Sequence, residues 1–219
     1  MPGDPSNGNG PGDPVHGSGP GESGQGEPGP PESTSSLGGK LLVATTRLGD
    51  PNFDGTVILV LDHGLDGALG LVLNRPTHVP VEEILEAWQE HARQAPPPVV
   101  FRGGPVSPEA VIGLARPALS DQAVPPWRTI LDSVSTVDLS VAPADQPHTL
   151  EAVRLFSGYS GWAPDQLEGE LAQGAWFVLD ALAADVFCPQ ADRLWHDVLR
   201  RQGGDLSLLA AFPSHPSLN

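Results

Sequence analysis

Cysteine, lysine and long apolar runs are nearly missing from this chain, and each shortage removes a class of function. Cys188 is the single cysteine in 219 residues, so no disulfide can close within the chain. A reducing, cytoplasmic setting is expected. No window approaches the ~18 consecutive apolar residues that a membrane-spanning helix requires. The N-terminus also lacks the basic-then-apolar order of a secretory leader. Basic residues are scarce: Lys40 and ten arginines stand against 27 Asp and Glu, for a formal net charge of −16. An acidic surface repels phosphates at long range, which counts against nucleic acids and anionic membranes as direct partners. The nearest thing to a basic patch is Arg200-Arg201 after Arg193, and no helix-turn-helix is legible. The seven His and one Cys show no metal spacing such as H-E-x-x-H or C-x-x-C. No metal or other cofactor is expected.

What is present divides sharply. Residues 1–36 hold 10 Gly, 8 Pro and five acids, with no Lys or Arg. Such a segment buries too little apolar surface to offset its ordering entropy, so a disordered tail is expected there. Residues 37–219 are long enough for one domain with a sizeable core.

Within that domain, Lys40–Thr45 reads as a first strand, followed by the turn chemistry of Asp50-Pro51 and Asp54-Gly55. Thr56–Leu61 and Ala68–Leu73 are apolar runs that suggest strands buried on both faces. The second ends at Asn74-Arg75-Pro76. Val81, Ile84, Leu85 and Trp88 recur at helical spacing and predict one helix over 81–94. Further strands are expected at 99–101, 110–114, 128–130, 135–141, 152–156 and 175–179. Helices are expected at 164–173, 181–187 and 190–202, with a short turn or helix at 206–210. Strands crowd the first two-thirds and helices the last third, which argues for an α+β fold.

The densest cluster of special-purpose residues is Gly158-Tyr159-Ser160-Gly161-Trp162, which reads as a strand-to-helix turn. Its outline is that of a nucleophile elbow, G-x-S-x-G, but Trp162 stands where the second glycine belongs. His63, His148 and His196 are candidate bases for Ser160, with nothing in the sequence to place them nearby. Gly103-Gly104-Pro105 is too short for a phosphate loop and lacks a following Gly-Lys-Ser/Thr. Asn74-Arg75 ends a very apolar strand, where a guanidinium and an amide at the sheet rim can anchor a carboxylate or a peptide group. The same residues can equally pin a loop through its carbonyls.

Taken together, several of these stretches mark a resemblance. Leu48–Phe53, Gly67–Pro76, Gly103-Gly104-Pro105-Val106, Gly158–Trp162 with Gln166-Leu167-Glu168, then Trp176 and Asp192–Trp195, follow one another as in the YqgE/AlgH family of bacterial proteins. The chain resembles that family from about Lys40 to Asn219. The resemblance implies a single α+β domain with a bent, mixed, partly barrel-like sheet and peripheral helices. It implies no established activity, although some members carry the label of transcriptional regulator.

No complete catalytic set is legible. The expected function is a non-catalytic binding or regulatory module with a protein partner or a small ligand, any effect on transcription being indirect. Its expected surface combines Asn74, Arg75, Gly103, Gly104, Gly158, Tyr159, Ser160, Trp162 and Gln166. The rival reading is a hydrolase that uses Ser160 with a histidine.

Overall fold

The computed structural model describes residues 36–118 and 127–211. The tail expected to be disordered, except Ser36, lies outside the described residues, as do part of the proline-bearing stretch after Ala118 and the C-terminal residues from 212 on. Ser36 belongs to the domain: its Oγ donates to the His63 carbonyl at 3.1 Å.

Ten strands form one curled, mixed sheet with an antiparallel half-barrel shape. They are β1 (Lys40–Ala44), β2 (Val57–Gly64), β3 (Gly67–Val72), β4 (Pro76–Pro80), β5 (Val99–Arg102), β6 (Val106–Pro117), β7 (Thr129–Leu131), β8 (Val134–Val137), β9 (Leu150–Trp162) and β10 (Trp176–Asp180). Six helices pack around them: α1 (Val81–Ile84), α2 (Gln89–Arg93), α3 (Gln166–Ala172), α4 (Ala183–Val186), α5 (Leu194–Gln202) and α6 (Gly204–Leu209). The α+β expectation holds. The strand order is β10-β1-β2-β3-β9-β6-β8-β7, with β4 and β5 branching off through β9. Only the β5–β9 pairing is parallel among those described.

The continuous apolar runs are buried on both faces, as their composition predicts. Alternate residues of β1 and β2 serve opposite cores. Leu41, Val43, Val57 and Leu59 pack with Leu194, Trp195, Val198 and Leu199 of α5. Leu42, Ala44, Ile58 and Val60 pack with Trp162, Leu167 and Trp176 on the other side. A third cluster gathers Trp88, Ala92, Trp127, Val153 and Leu155 beneath α1 and α2.

Two expectations about elements need correction. The helix expected over 81–94 is α1, a 3-10 turn at Glu86–Trp88, and α2. Leu85 leaves helical space at φ −143°, ψ 78°. This break puts Trp88 in the core at 1% exposure and leaves Ile84, expected inward, 49% exposed. The strand β4 went unread because prolines stand at both its ends, and Pro removes a ladder donor.

Arg154 on β9 is the largest polar group in the interior, 2% exposed. No carboxylate meets it. Its Nη1 donates to the carbonyls of Val186 and Cys188 at 2.8 and 3.0 Å, and its Nη2 to those of Ala95 and Pro96 at 3.1 and 2.7 Å. The guanidinium carbon lies 4.3 Å from the Phe101 ring centre, in cation–π range. Burial lowers its pKa to about 10, which leaves it cationic at neutral pH. One planar fork thus ties the central strand to two irregular segments whose carbonyls have no ladder to join. Replacing it with an apolar chain strands four acceptors. Arg154→Met is expected to lose about 3–5 kcal/mol of stability, read as a lower urea midpoint with an unchanged slope.

Candidate functional site

The stretch Gly158–Trp162 is not a turn. It is the last third of the thirteen-residue strand β9, and the turn comes later, at Ala163–Asp165, where Asp165 has φ 60°. Ser160 is therefore a strand residue, fully buried, and its hydroxyl donates to the Gly103 carbonyl at 3.3 Å. The three histidines weighed as its base are engaged elsewhere. His63 Nδ1 accepts from the Leu37 N–H at 3.2 Å, so Nε2 carries the proton toward Glu168 Oε1 at 2.7 Å. The Glu168 carboxyl is held below its ordinary range by its own backbone N–H first, and by His63 as well. His148 lies against Trp127 and His196 against Trp195, each with ring centres 5.0 Å apart.

What the glycines do is visible at the seam between β5 and β9. Gly103 donates its N–H to the Ser157 carbonyl at 2.8 Å and accepts at its own carbonyl from Val72 N–H at 2.9 Å. A Cβ on Gly103 would fall 2.3 Å from the Gly158 carbonyl oxygen, and one on Gly104 2.2 Å from the Tyr159 carbonyl carbon. Backbone lies directly on backbone here, and only glycine fits.

Beside this seam opens a cleft of about 390 Å³, lined by Pro51, Asn52, Val72, Arg75, Arg102, Gly104, Pro105, Pro108 and Ser157. Two of the expected surface residues, Arg75 and Gly104, meet there. Arg75 donates from Nη2 to the Asp54 carbonyl, and Arg102 donates its backbone N–H to the Arg75 carbonyl at 2.8 Å, so the two arginines are locked side by side. The Arg102 side chain makes no hydrogen bond or ion pair among the described residues. A larger recess of about 660 Å³ lies by α2, but its charged group is Glu90, which adds to an already acidic surface. Among the described residues no group of three or more His, Cys, Asp or Glu is placed to hold a metal ion.

The other expected residues hold structural posts. Asn74 is 5% exposed and spends its amide on the loop before β2: Oδ1 accepts from Val57 N–H at 3.0 Å, and Nδ2 donates to the Gly55 carbonyl at 2.8 Å. Gly103, Gly158 and Ser160 form the seam, and Tyr159 packs half-buried on the main core. Trp162 and Trp176 both donate their indole N–H to Glu170 Oε2, at 3.0 and 2.8 Å. Gln166 bonds Glu170 Oε1 at 3.0 Å and accepts from Ala163 N–H, closing the start of α3. Phe53 stacks near Trp162, with ring centres 6.4 Å apart, and meets Trp176 edge-on at 5.7 Å. This aromatic group holds the loop that carries Pro51 and Asn52 to the cleft. Trp162 thus serves the site from behind.

Arg102, Asn52 and Ser157 escaped the sequence reading as site residues. One signal was available for Arg102: it directly ends the apolar run Val99–Phe101, where a long charged side chain must leave the sheet at its rim.

A family model described as AlgH-like matches residues 41–207. The chain is 48% identical over 188 residues to a UPF0301 protein of Streptomyces avermitilis, covering 84% of this chain and 96% of that one. It is 40% identical over 198 residues to a UPF0301 protein of Mycobacteroides abscessus, covering 90% and 94%. Among solved structures, it is similar to a protein of Corynebacterium diphtheriae with a TM-score of 0.75 and 30% identity, covering 83% of this chain and 95% of that one. The AlgH protein of Pseudomonas aeruginosa is similar at a TM-score of 0.60 and 30% identity, covering 84% and 97%.

The seam and the aromatic group can be tested separately. Gly104→Ala is expected to cost at least about 3 kcal/mol, since backbone must move to admit the methyl. Gly169, in α3 with open space around it, is the contrast: Gly169→Ala should gain about 0.5–1 kcal/mol. Equal urea midpoints for the two variants would contradict the seam. Glu170→Ala leaves two indole donors without their acceptor and should lose about 2–4 kcal/mol, while Glu170→Gln, which keeps one acceptor oxygen, should lose less than half as much.

Proposed function

The chain belongs to the AlgH-like family, and on that footing we propose that it is a non-catalytic binding or regulatory module that engages a protein partner or a small ligand through the Arg75/Arg102 cleft. One observation carries the reading. In a chain of net charge −16, two arginines line one cleft, and one of them has no side-chain partner among the described residues. A cation left unpaired amid so many acids is a recognition element more than a structural one. The burial of Ser160 supports the non-catalytic part.

The setting proposed is the cytoplasm, which the single cysteine favours. No helix among the described residues is long and apolar enough to cross a membrane. Any influence on transcription runs through the partner, because the net charge opposes approach to a phosphate backbone.

The test is quantitative capture from host extract with the full chain and with the double variant Arg75→Ala/Arg102→Ala. Both substitutions are at exposed side chains, so the variant should match the parent in urea midpoint. The expected result is a species held in near-stoichiometric amount by the parent and reduced about tenfold or more by the variant. Identical captures would overturn the cleft as the surface. Turnover on an esterase or amidase substrate that vanishes with Ser160→Ala would overturn the non-catalytic reading.

A further inference from the structure

We infer that the group recognised in this cleft is a carboxylate on a short apolar stem, held by Arg102 and Arg75 against walls of proline. The inference rests on the binding reading above and adds the chemistry of the ligand. Arg102 contributes an uncommitted planar fork, and Arg75 keeps the donors that its bond to the Asp54 carbonyl does not use. Because the Arg102 N–H is bonded to the Arg75 carbonyl, the two forks start from backbones in fixed register. Guanidinium forks match the planar pair of oxygens of a carboxylate.

Phosphate is disfavoured on two grounds. Phosphate cradles are built from successive backbone N–H groups, whereas Pro51, Pro105 and Pro108 supply none to this cleft. The electrostatic background is also negative: Asp50 sits two residues from Asn52 and bonds it through Oδ1 at 2.8 and 2.9 Å, and the chain as a whole carries −16. Repulsion from that background grows with the charge of the guest, so a dianion meets about twice the penalty of a monoanion. Val72 and the three proline rings give the remaining wall an apolar character suited to methylene groups. Ser157 adds a hydroxyl that can donate to a carboxylate oxygen or accept from a neighbouring amide. The volume of about 390 Å³ lies in the range of small-molecule sites.

Such a carboxylate can come from a free short-chain acid or from a Glu side chain of a peptide, and the test separates the two. Calorimetric titrations of the full chain would use butyrate (a monoanion with a single carboxylate on an apolar stem), a capped tetrapeptide with one central glutamate, its glutamine counterpart, and inorganic phosphate. Saturable binding is expected for butyrate or the glutamate peptide, whichever is the source, with the glutamine peptide at least about tenfold weaker than the glutamate one if the source is a peptide. Arg102→Ala should weaken the binding probe about tenfold or more. Phosphate binding tighter than both carboxylates, equal affinities for parent and Arg102→Ala, or no carboxylate binding up to ~20 mM would each overturn the inference. If carboxylates fail while host capture still depends on the two arginines, the carboxylate chemistry falls and the surface stands. If capture is indifferent to the arginines, the binding reading itself has failed.

Discussion

The structure depends on the contact of backbone with backbone where Gly103-Gly104 crosses Gly158-Tyr159. Strand β9 changes partner there. Before the crossing it runs parallel to β5, through Phe101 opposite Phe156 and Arg102 opposite Ser157; after it, it pairs with β3 through Ser160, Gly161 and Trp162. A strand can exchange one neighbour for another only if the departing one leaves within the thickness of a peptide. Gly158, at φ +66° and with a virtual Cβ 2.7 Å from the Gly104 carbonyl oxygen, supplies that clearance from its side. Gly103 then joins three segments at once, bonding Ser157, Val72 and Ser160. Ser160 owes its burial to that role: a small hydroxyl fills the second acceptor position of a carbonyl that has no other interior donor to receive.

Two uses of arginine follow from the same geometry. Arg154, four residues before Gly158 on β9, is buried and satisfies carbonyls of segments that cannot form ladders. Arg102 ends β5 and Arg75 stands just before β4, and both are exposed at the rim. Burial sets the difference. An interior guanidinium needs protein acceptors, since an unmet buried charge is costly; at Arg154 both Nη groups find them, while Nε is left without a partner among the described residues. One at the rim is solvated and is free to exchange water for a guest. Four interior carbonyls and an aromatic face make Arg154 a structural tie, and the open cleft makes Arg102 available.

The sequence showed the architecture well and the site only in part. Runs such as Val57–Leu61 announce two-faced burial by composition alone, and the glycine-rich stretches that mark the family were correctly singled out. Their role was misread because a glycine required for close approach and a glycine required for a turn look alike in one dimension. Gly158–Trp162 reads as an elbow until its neighbour across the seam is known, and that neighbour lies some 55 residues away in sequence. Asn74 and Arg75 are adjacent, yet one is buried in a loop clamp and the other exposed at the cleft. They lie in the bend between β3 and β4, where the chain turns one side chain inward and the other out. Arg102 and Ser157 meet only through the parallel pairing of β5 with β9, a long-range register that no local pattern encodes.

That register also explains why the cleft lies where it does. Where β9 leaves β5 for β3, the ends of β3 and β5 meet through the Val72 N–H and the Gly103 carbonyl, and the cleft opens beside that junction. Its rim must then be made of strand-end residues: Val72 and Arg75 after one, Arg102 and Gly104 after the other, Ser157 on the strand that switches. The loop of Pro51 and Asn52 closes the remaining side, held from behind by Phe53 against Trp162 and Trp176. The cleft thus shares residues with the glycine seam. Its charge is divided in use: the Arg75 guanidinium ties the loop at the Asp54 carbonyl, whereas the Arg102 side chain bonds nothing among the described residues. The fold fixes where the two arginines stand and leaves the Arg102 side chain exposed at the rim.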